Sequence, residues 1–555
     1  MATELLHPAW PLLLGAVLLA AGPRRARVPI LLAAPALAVA LAWTLPDGAR
    51  AGGRLFGQEI LFLRVDALAR VFAVVFALVG ALGSLYALPG GSRRGDCAAL
   101  AAAASALGIA LAGDWLSLYA AWESLALASA VLVLDGGGGR AARASYRYLL
   151  VHLAGGAFLL GGIAWHLGAG GAREIGALPA AGAGLLVLAG FAVNAAIPPL
   201  HAWLTDAYPE SSPAGGVFLS AFATKAAVYA LARVFPGLEP LVWAGVAMAL
   251  YGVVFAVLEN DIRRLLGYHI VSQVGYMVAG IGLGTPMALS GAAAHAFSHI
   301  LYKGLLFMGA GAVIHATGRR KLTELGGLGR AMPATLALYM VGAFSISGAP
   351  LLNGFVSKSL VVAAAEAEHR AVVAALLNLA SVGTFLHTGL KLPWFTFGGP
   401  ERGLTPSPVP GPMLAAMALA AALCALTGTF PGILYALLPF PVGWEPYTAA
   451  HVLESLQLLA GTAIAFALLR RHLGGEPTIT LDFDRVYRAA GRLVAAQLAP
   501  AVAKGAAAFE AGALGAVARP VAGEAPRTRL PIGYAVLTAV ATVGIGLVAL
   551  GLALR

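Results

Sequence analysis

Apolar residues in this chain come in long runs and not in the alternation that marks half-buried strands. Each run of about 18 residues or more is long enough to cross the roughly 30 Å hydrocarbon core of a bilayer as a helix. The pattern predicts about sixteen spans, at residues 7–22, 28–45, 65–88, 97–113, 115–134, 146–168, 181–198, 213–235, 241–258, 264–284, 287–315, 333–361, 371–390, 411–438, 450–469 and 531–553. The fold class expected is therefore an all-α integral membrane protein. Short basic clusters separate alternate spans: Arg24, Arg25 and Arg27; Arg93 and Arg94; Arg140, Arg143 and Arg147; Arg263 and Arg264; Arg319, Arg320 and Lys321; Arg470 and Arg471. All fall on one side, which the bias of cationic loops makes cytoplasmic, and an even number of spans then puts both termini outside a bacterial-type cytoplasmic (inner) membrane.

Four places depart from uniform runs. Residues 45–64 read as a short outward hairpin, and the segment "LDFDRVYRAAGRLVAAQL" alternates apolar and charged positions at helical spacing, as an amphipathic helix at the membrane surface does. Two spans are interrupted, at "FAVNAAIPPLHAWL" (191–204) and "SISGAPLLNGFVSKSL" (345–360). Pro or Gly within a span frees backbone groups that lipid cannot satisfy, so such breaks persist only where protein or water surrounds them. Each break closes the fourth of five spans, in blocks 97–235 and 241–390, and paired breaks of this kind point to inverted repeats around an ion path. The expected organisation is three spans and a hairpin over 1–96, the two five-span blocks, two spans over 391–470, a cytoplasmic amphipathic region over 471–530 and a last span over 531–555. The first run contains Pro and lacks a basic leader, which favours its retention as a span.

Composition agrees with this reading: 60% of the 555 residues are hydrophobic and 11% charged, and the mean hydropathy is +0.84. The net charge of +11 lies in the interspan clusters and forms no basic face interleaved with aromatics, so it records topology and no nucleic-acid partner. Cys97 and Cys424 have no spacing suited to a disulfide framework or a metal, and no cofactor or metal is expected. Nucleotide-binding and nucleophile motifs are absent; "DGGGGR" is a flexible interspan loop.

The chemistry lies in ionisable residues inside the spans, each costing about 2.5–3.5 kcal/mol at mid-helix on insertion scales. Glu123 stands near the middle of "GDWLSLYAAWESLALASAVLVL", and Lys225 is central in "VFLSAFATKAAVYALARVF". His295, His299 and Lys303 follow one another at i, i+4, i+8, which stacks them on one helix face. A neutral imidazole donates from one nitrogen and accepts on the other, so such a column suits proton transfer through water. Lys358 follows the second break, where unwound backbone and water can meet it. His387 and Lys391 stand near the inner end of their span, where a lysine can snorkel to the surface. His201 and His269 are candidates for an access path, and His152 is ambiguous.

"WLSLYAAWESLALAS", "PPLHAWLTDAYPESSPAGGVFLSAFATKAAVYALAR", "LENDIRRLLGYHIVSQVGYM", "HAFSHILYKGLLFMGAG" and "SISGAPLLNGFVSKS" closely resemble the antiporter-like membrane subunits shared by Mrp-type sodium/proton antiporters and respiratory complex I. The resemblance covers roughly residues 60–440 and is nearest the D-type subunits of those antiporters. It implies a core of about fourteen helices with two inverted five-helix repeats, and a line of charged residues in the membrane plane. Glu123, Lys225, His295, His299, Lys303 and Lys358 would form that line, with His201, His269 and Lys391 as weaker members. The family usually has a lysine in the first broken helix; here the position holds Asn194, which can bind water but cannot carry a proton or neutralise Glu123. The resemblance implies small hydrophobic partner subunits, a monovalent cation and protons. The rival readings are a pump subunit of a redox complex such as complex I or a membrane hydrogenase, and a subunit supporting another energy-coupled uptake or a scaffold with a partly disabled relay.

Overall fold

The computed structural model describes residues 7–55, 58–474 and the isolated positions 482, 483, 485 and 489. The span predicted at 531–553 and most of the segment at 471–530, including most of its amphipathic helix, lie outside the described residues.

Helices α1 (Ala9–Ala21) and α2 (Arg27–Thr44) lead to a hairpin of β1 (Arg50–Leu55) and β2 (Gln58–Arg64), where the sequence predicts an outward hairpin. Four uninterrupted helices follow: α3 (Ala67–Ala87), α4 (Arg93–Leu111), α5 (Trp115–Leu134) and α6 (Gly138–Gly168). The first predicted break separates α7 (Ala183–Asn194) from α8 (Ala202–Ala207). The run 213–235, read from sequence as one span, is two helices, α9 (Pro213–Ala221) and α10 (Ala223–Val234), divided at Phe222. Helices α11 (Glu239–Leu258), α12 (Ile262–Leu283) and α13 (Pro286–Thr317) are continuous, and the second predicted break separates α14 (Pro333–Ser347) from α15 (Asn353–Ala367). The run predicted to end at 390 continues: α16 (Ala371–Thr384) passes through a π-helical stretch, Phe385–Lys391, into α17 (Leu392–Phe397). The run 411–438 is α18 (Gly411–Thr429) and the short α19 (Pro431–Tyr435), and α20 (Ala449–Leu469) follows. Among the described residues, eleven helical stretches are long and apolar enough to cross a membrane.

Polar residues fix where many of these helices begin. The side chains of Asp66, Ser92, Asp114, Ser212, Asp261, Thr285 and Thr448 each accept from a backbone N–H of the first turn, satisfying donors that a helix start leaves free. Helix α13 is the hub, packing against α3, α9, α12, α14, α15 and α18. Helices α11 and α12 approach backbone to backbone: a Cβ on Gly245 would lie 2.3 Å from the Ala279 nitrogen, and one on Gly252 would lie 2.5 Å from the Tyr268 carbonyl oxygen. Such small-residue contacts replace the hydrophobic driving force that lipid does not supply. By contrast α20 presents Leu453, Leu456, Ile464 and Leu468 outward, an apolar surface suited to lipid or a neighbouring protein.

Candidate intramembrane proton path

Around the first break, α5, α6 and α7 meet closely. Trp122 and Phe191 have ring centroids 5.2 Å apart, and Val193 packs on Gly155 of α6. On the next residue, Gly156, an added Cβ would fall 1.8 Å from Oε1 of Glu123, so the carboxylate lies directly on helix backbone. Glu123 is buried, and neither of its oxygens has a hydrogen-bond partner among the described residues. Asn194, at the last turn of α7, is buried with its Oδ1 likewise unpartnered. The break itself is tied by Trp203, whose Nε1 donates to the Val193 carbonyl at 2.9 Å, and whose ring meets His152 edge to face at 4.5 Å. His201, at the start of α8, is buried with its ring 4.8 Å from that of Tyr251 on α11. It thus stands where the first break meets the helices that follow residue 238.

Lys225 is fully buried, one turn after the division at Phe222. Its Nζ donates to the Ser220 carbonyl at 2.6 Å and to Thr224 Oγ1 at 3.1 Å. The interruption that the sequence pattern did not signal therefore has a use: it exposes a carbonyl that holds the ammonium.

His295, His299 and Lys303 occupy one face of α13, as their spacing predicts, with the two imidazole centroids 6.2 Å apart. All three are fully buried. Nδ1 of His295 lies 3.3 Å from Ser357 Oγ on α15; both nitrogens of His299 and the Lys303 Nζ have no partner among the described residues. Tyr276 lies between this column and the second break, 5.6 Å from the His295 ring and 5.4 Å beneath the Lys358 Nζ. Lys358 donates to the Ile346 carbonyl at 2.8 Å and to Ser381 Oγ at 3.1 Å. The first of these acceptors is a last-turn carbonyl of α14, freed because Gly348 takes a left-handed φ of 80° and ends the helix. A cavity of about 270 Å³ joins Lys358 and Ser381 at its buried end to the exposed Glu366, Glu445 and Glu454, room for several waters at about 30 Å³ each.

His269 on α12 and His387 in the π-helical stretch approach edge to face at 4.5 Å. Lys391, for which the sequence allowed snorkelling, is only 1% exposed and donates to the carbonyls of Val257 and Glu259, at 2.5 and 3.1 Å. It closes the C-terminal end of α11, whose last carbonyls lack helical partners.

These groups form one electrostatic set. His299 feels Lys225, Lys303, His295 and Lys358; His269 feels Lys303, His387, Lys358 and His299; His387 in turn feels Lys391. Glu123 acts on Tyr119 of its own helix. Sequence reasoning missed Thr388, Ser381 and Tyr276, polar residues common enough in helices to carry no signal until their neighbours are known.

The fold is similar to that of the antiporter-like membrane subunits. Residues 112–385 match the transmembrane family "NADH:quinone oxidoreductase/Mrp antiporter". Among curated relatives, the NADH-quinone oxidoreductase subunit N of Desulforudis audaxviator is 34% identical over 54% of this chain and 66% of its own length. The D subunit of the Na(+)/H(+) antiporter of Alkalihalophilus pseudofirmus is 31% identical over 53% of this chain and 64% of its own. The chain thus spans just under two thirds of the length of these relatives. A chain in the solved structure of the Mrp complex from Dietzia sp. DQ12-45-1b superposes with a TM-score of 0.71 and 25% identity, covering 84% of this chain and all of that one.

Proposed function

We propose that this chain is a proton-translocating subunit of a multisubunit monovalent cation (Na+)/proton antiporter of the cytoplasmic membrane, with both termini outside. In this reading segments 97–235 and 241–390 act as two inverted repeats. Protons pass among Lys225, His299, His295, Lys303 and Lys358 through hydrated gaps and reach the outer face by the cavity beyond Lys358, while the cation moves oppositely in the assembled complex. The observation that carries the proposal is the mutually interacting set of buried lysines and histidines, since such groups are retained in a bilayer chiefly where ions or protons pass.

Glu123 enters the proposal as a gate and not as a charge-pair partner. Asn194 supplies no cation, so the carboxylate has only polar side chains and water with which to exchange a proton. The test is the Lys225→Ala or Lys303→Ala variant in an assembled complex reconstituted into vesicles: proton exchange driven by a sodium or potassium gradient is expected to collapse. Wild-type exchange in both variants would defeat the reading.

A second reading is a pump subunit of a redox complex, favoured by the likeness to the quinone oxidoreductase subunit N. Purification with partners decides between them. Flavin or iron-sulfur partners support the redox complex, and small hydrophobic partners alone support the antiporter.

A further inference from the structure

Among the described residues, two of the buried histidines, His269 and His387, are bridged by a hydroxyl. The hydroxyl of Thr388 lies 2.6 Å from Nδ1 of His269 and 2.8 Å from Nδ1 of His387. All three residues are fully buried, and the Nε2 atoms of both imidazoles lack partners among the described residues. One hydroxyl has one proton, so it donates to one Nδ1 and accepts an N–H from the other. The two rings are thereby held in opposite tautomers: one offers a lone pair at Nε2 and the other offers an N–H there.

We propose that His269, Thr388 and His387 form a three-member proton shuttle that links the α13 column to Lys391 at the end of α11. The inference rests on the transport reading above. A proton reaching the free Nε2 lone pair makes that ring an imidazolium, whose Nδ1 proton passes to the Thr388 oxygen. The hydroxyl's own proton passes at the same time to Nδ1 of the second ring, which releases its Nε2 proton on the far side. Each N–H or O–H bond broken is matched by one formed, and no charge stays behind. After one passage the two tautomers are exchanged, so the next proton in the same direction waits until the pair resets.

Placement supports the shuttle at both ends. His269 feels Lys303, Lys358 and His299, and His387 feels Lys303, Lys358 and Lys391. The π-helical stretch is what aims His387 and Thr388 inward together. Adjacent residues on an α-helix are about 100° apart and seldom share a target, and one-turn π segments recur at functional sites.

The test uses the intact complex in vesicles, reading proton exchange under an imposed cation gradient in H2O and D2O over a range of pH. Thr388→Val removes the hydroxyl at nearly constant volume and should slow exchange about a hundredfold, the low end of what a positioned proton donor contributes; Thr388→Ser should retain the parent rate, pH profile and isotope effect. His387→Gln should match Thr388→Val, and the double variant should be no slower, because the members act in series. If Thr388→Val assembles and keeps the parent rate while Lys303→Ala is inactive, the shuttle is wrong and the relay stands. If Lys225→Ala and Lys303→Ala also keep the parent rate, the transport reading itself has failed. A Thr388→Ser variant as slow as Thr388→Val overturns the shuttle in favour of a packing role.

Discussion

At the scale of single residues, the membrane-embedded polar groups divide into those with a protein partner and those without. Lys225, Lys358 and Lys391 each donate to a backbone carbonyl released by a helix interruption or a helix end. Lys303, His299 and Glu123 have atoms without a partner among the described residues, where internal water or a moving proton fits. Glu123 is the most exacting case, since its carboxylate rests on Gly156. Gly156→Ala is expected to displace it and to lower exchange as Glu123→Gln does, with a stability cost of about 1–3 kcal/mol for overpacking; parallel exchange assays and thermal unfolding in detergent check both. The identity of these residues was legible in the sequence because a charge in an apolar run stands out. Thr388 and Ser381 were not, because a hydroxyl is too common in helices for its composition to mark it.

At the scale of elements, broken helices matter more than whole ones. Two breaks announced themselves through Pro and Gly, whereas the division at Phe222 has neither residue at the break and lies where the Ser220 carbonyl accepts from Lys225. The second break is locked by Ser345, whose hydroxyl donates to Asn353 Oδ1 at 2.5 Å, and by Gly354, where a Cβ would lie 1.7 Å from the Ser345 carbonyl oxygen. Gly354→Ala should therefore be more damaging than Gly348→Ala. The latter costs about 1–2 kcal/mol for a left-handed backbone with open space around it, while the former must drive two backbones apart. Comparing the two melting temperatures in the purified complex checks the order. The extension of the run predicted to end at 390 has a similar cause: Lys391 is buried by its carbonyl acceptors on α11, so its charge does not end the helix at a water interface.

At the scale of the whole molecule, residues 97–235 and 241–390 are joined on the basic side by arginines. Arg263, fully enclosed, donates to the carbonyls of Ser211 and Ser212 at 2.6 and 3.1 Å and to Ser211 Oγ at 2.6 Å. Arg320 bridges Glu210 and Asp261, both at 2.7 Å. The loop at 208–212, which carries Glu210, is thus held by arginines further along the chain. Arg263→Lys keeps a charge but not the planar fork, and should destabilise the protein by about 1–3 kcal/mol for each acceptor left unsatisfied, read as a lowered melting temperature with the proton path chemically intact. The sequence by itself determined that the chain is a multi-span helical membrane protein, where two of its helices break and which ionisable residues lie within it. Apolar length, Pro and Gly, and the cost of a buried charge are all local properties. Only the tertiary structure decided which of those residues face one another: that Lys225 acts on His299 of the α13 column, that Glu123 rests on Gly156, and that a threonine hydroxyl unites two histidines far apart in the chain. Proximity across helices depends on packing and kinks, and no local pattern encodes it.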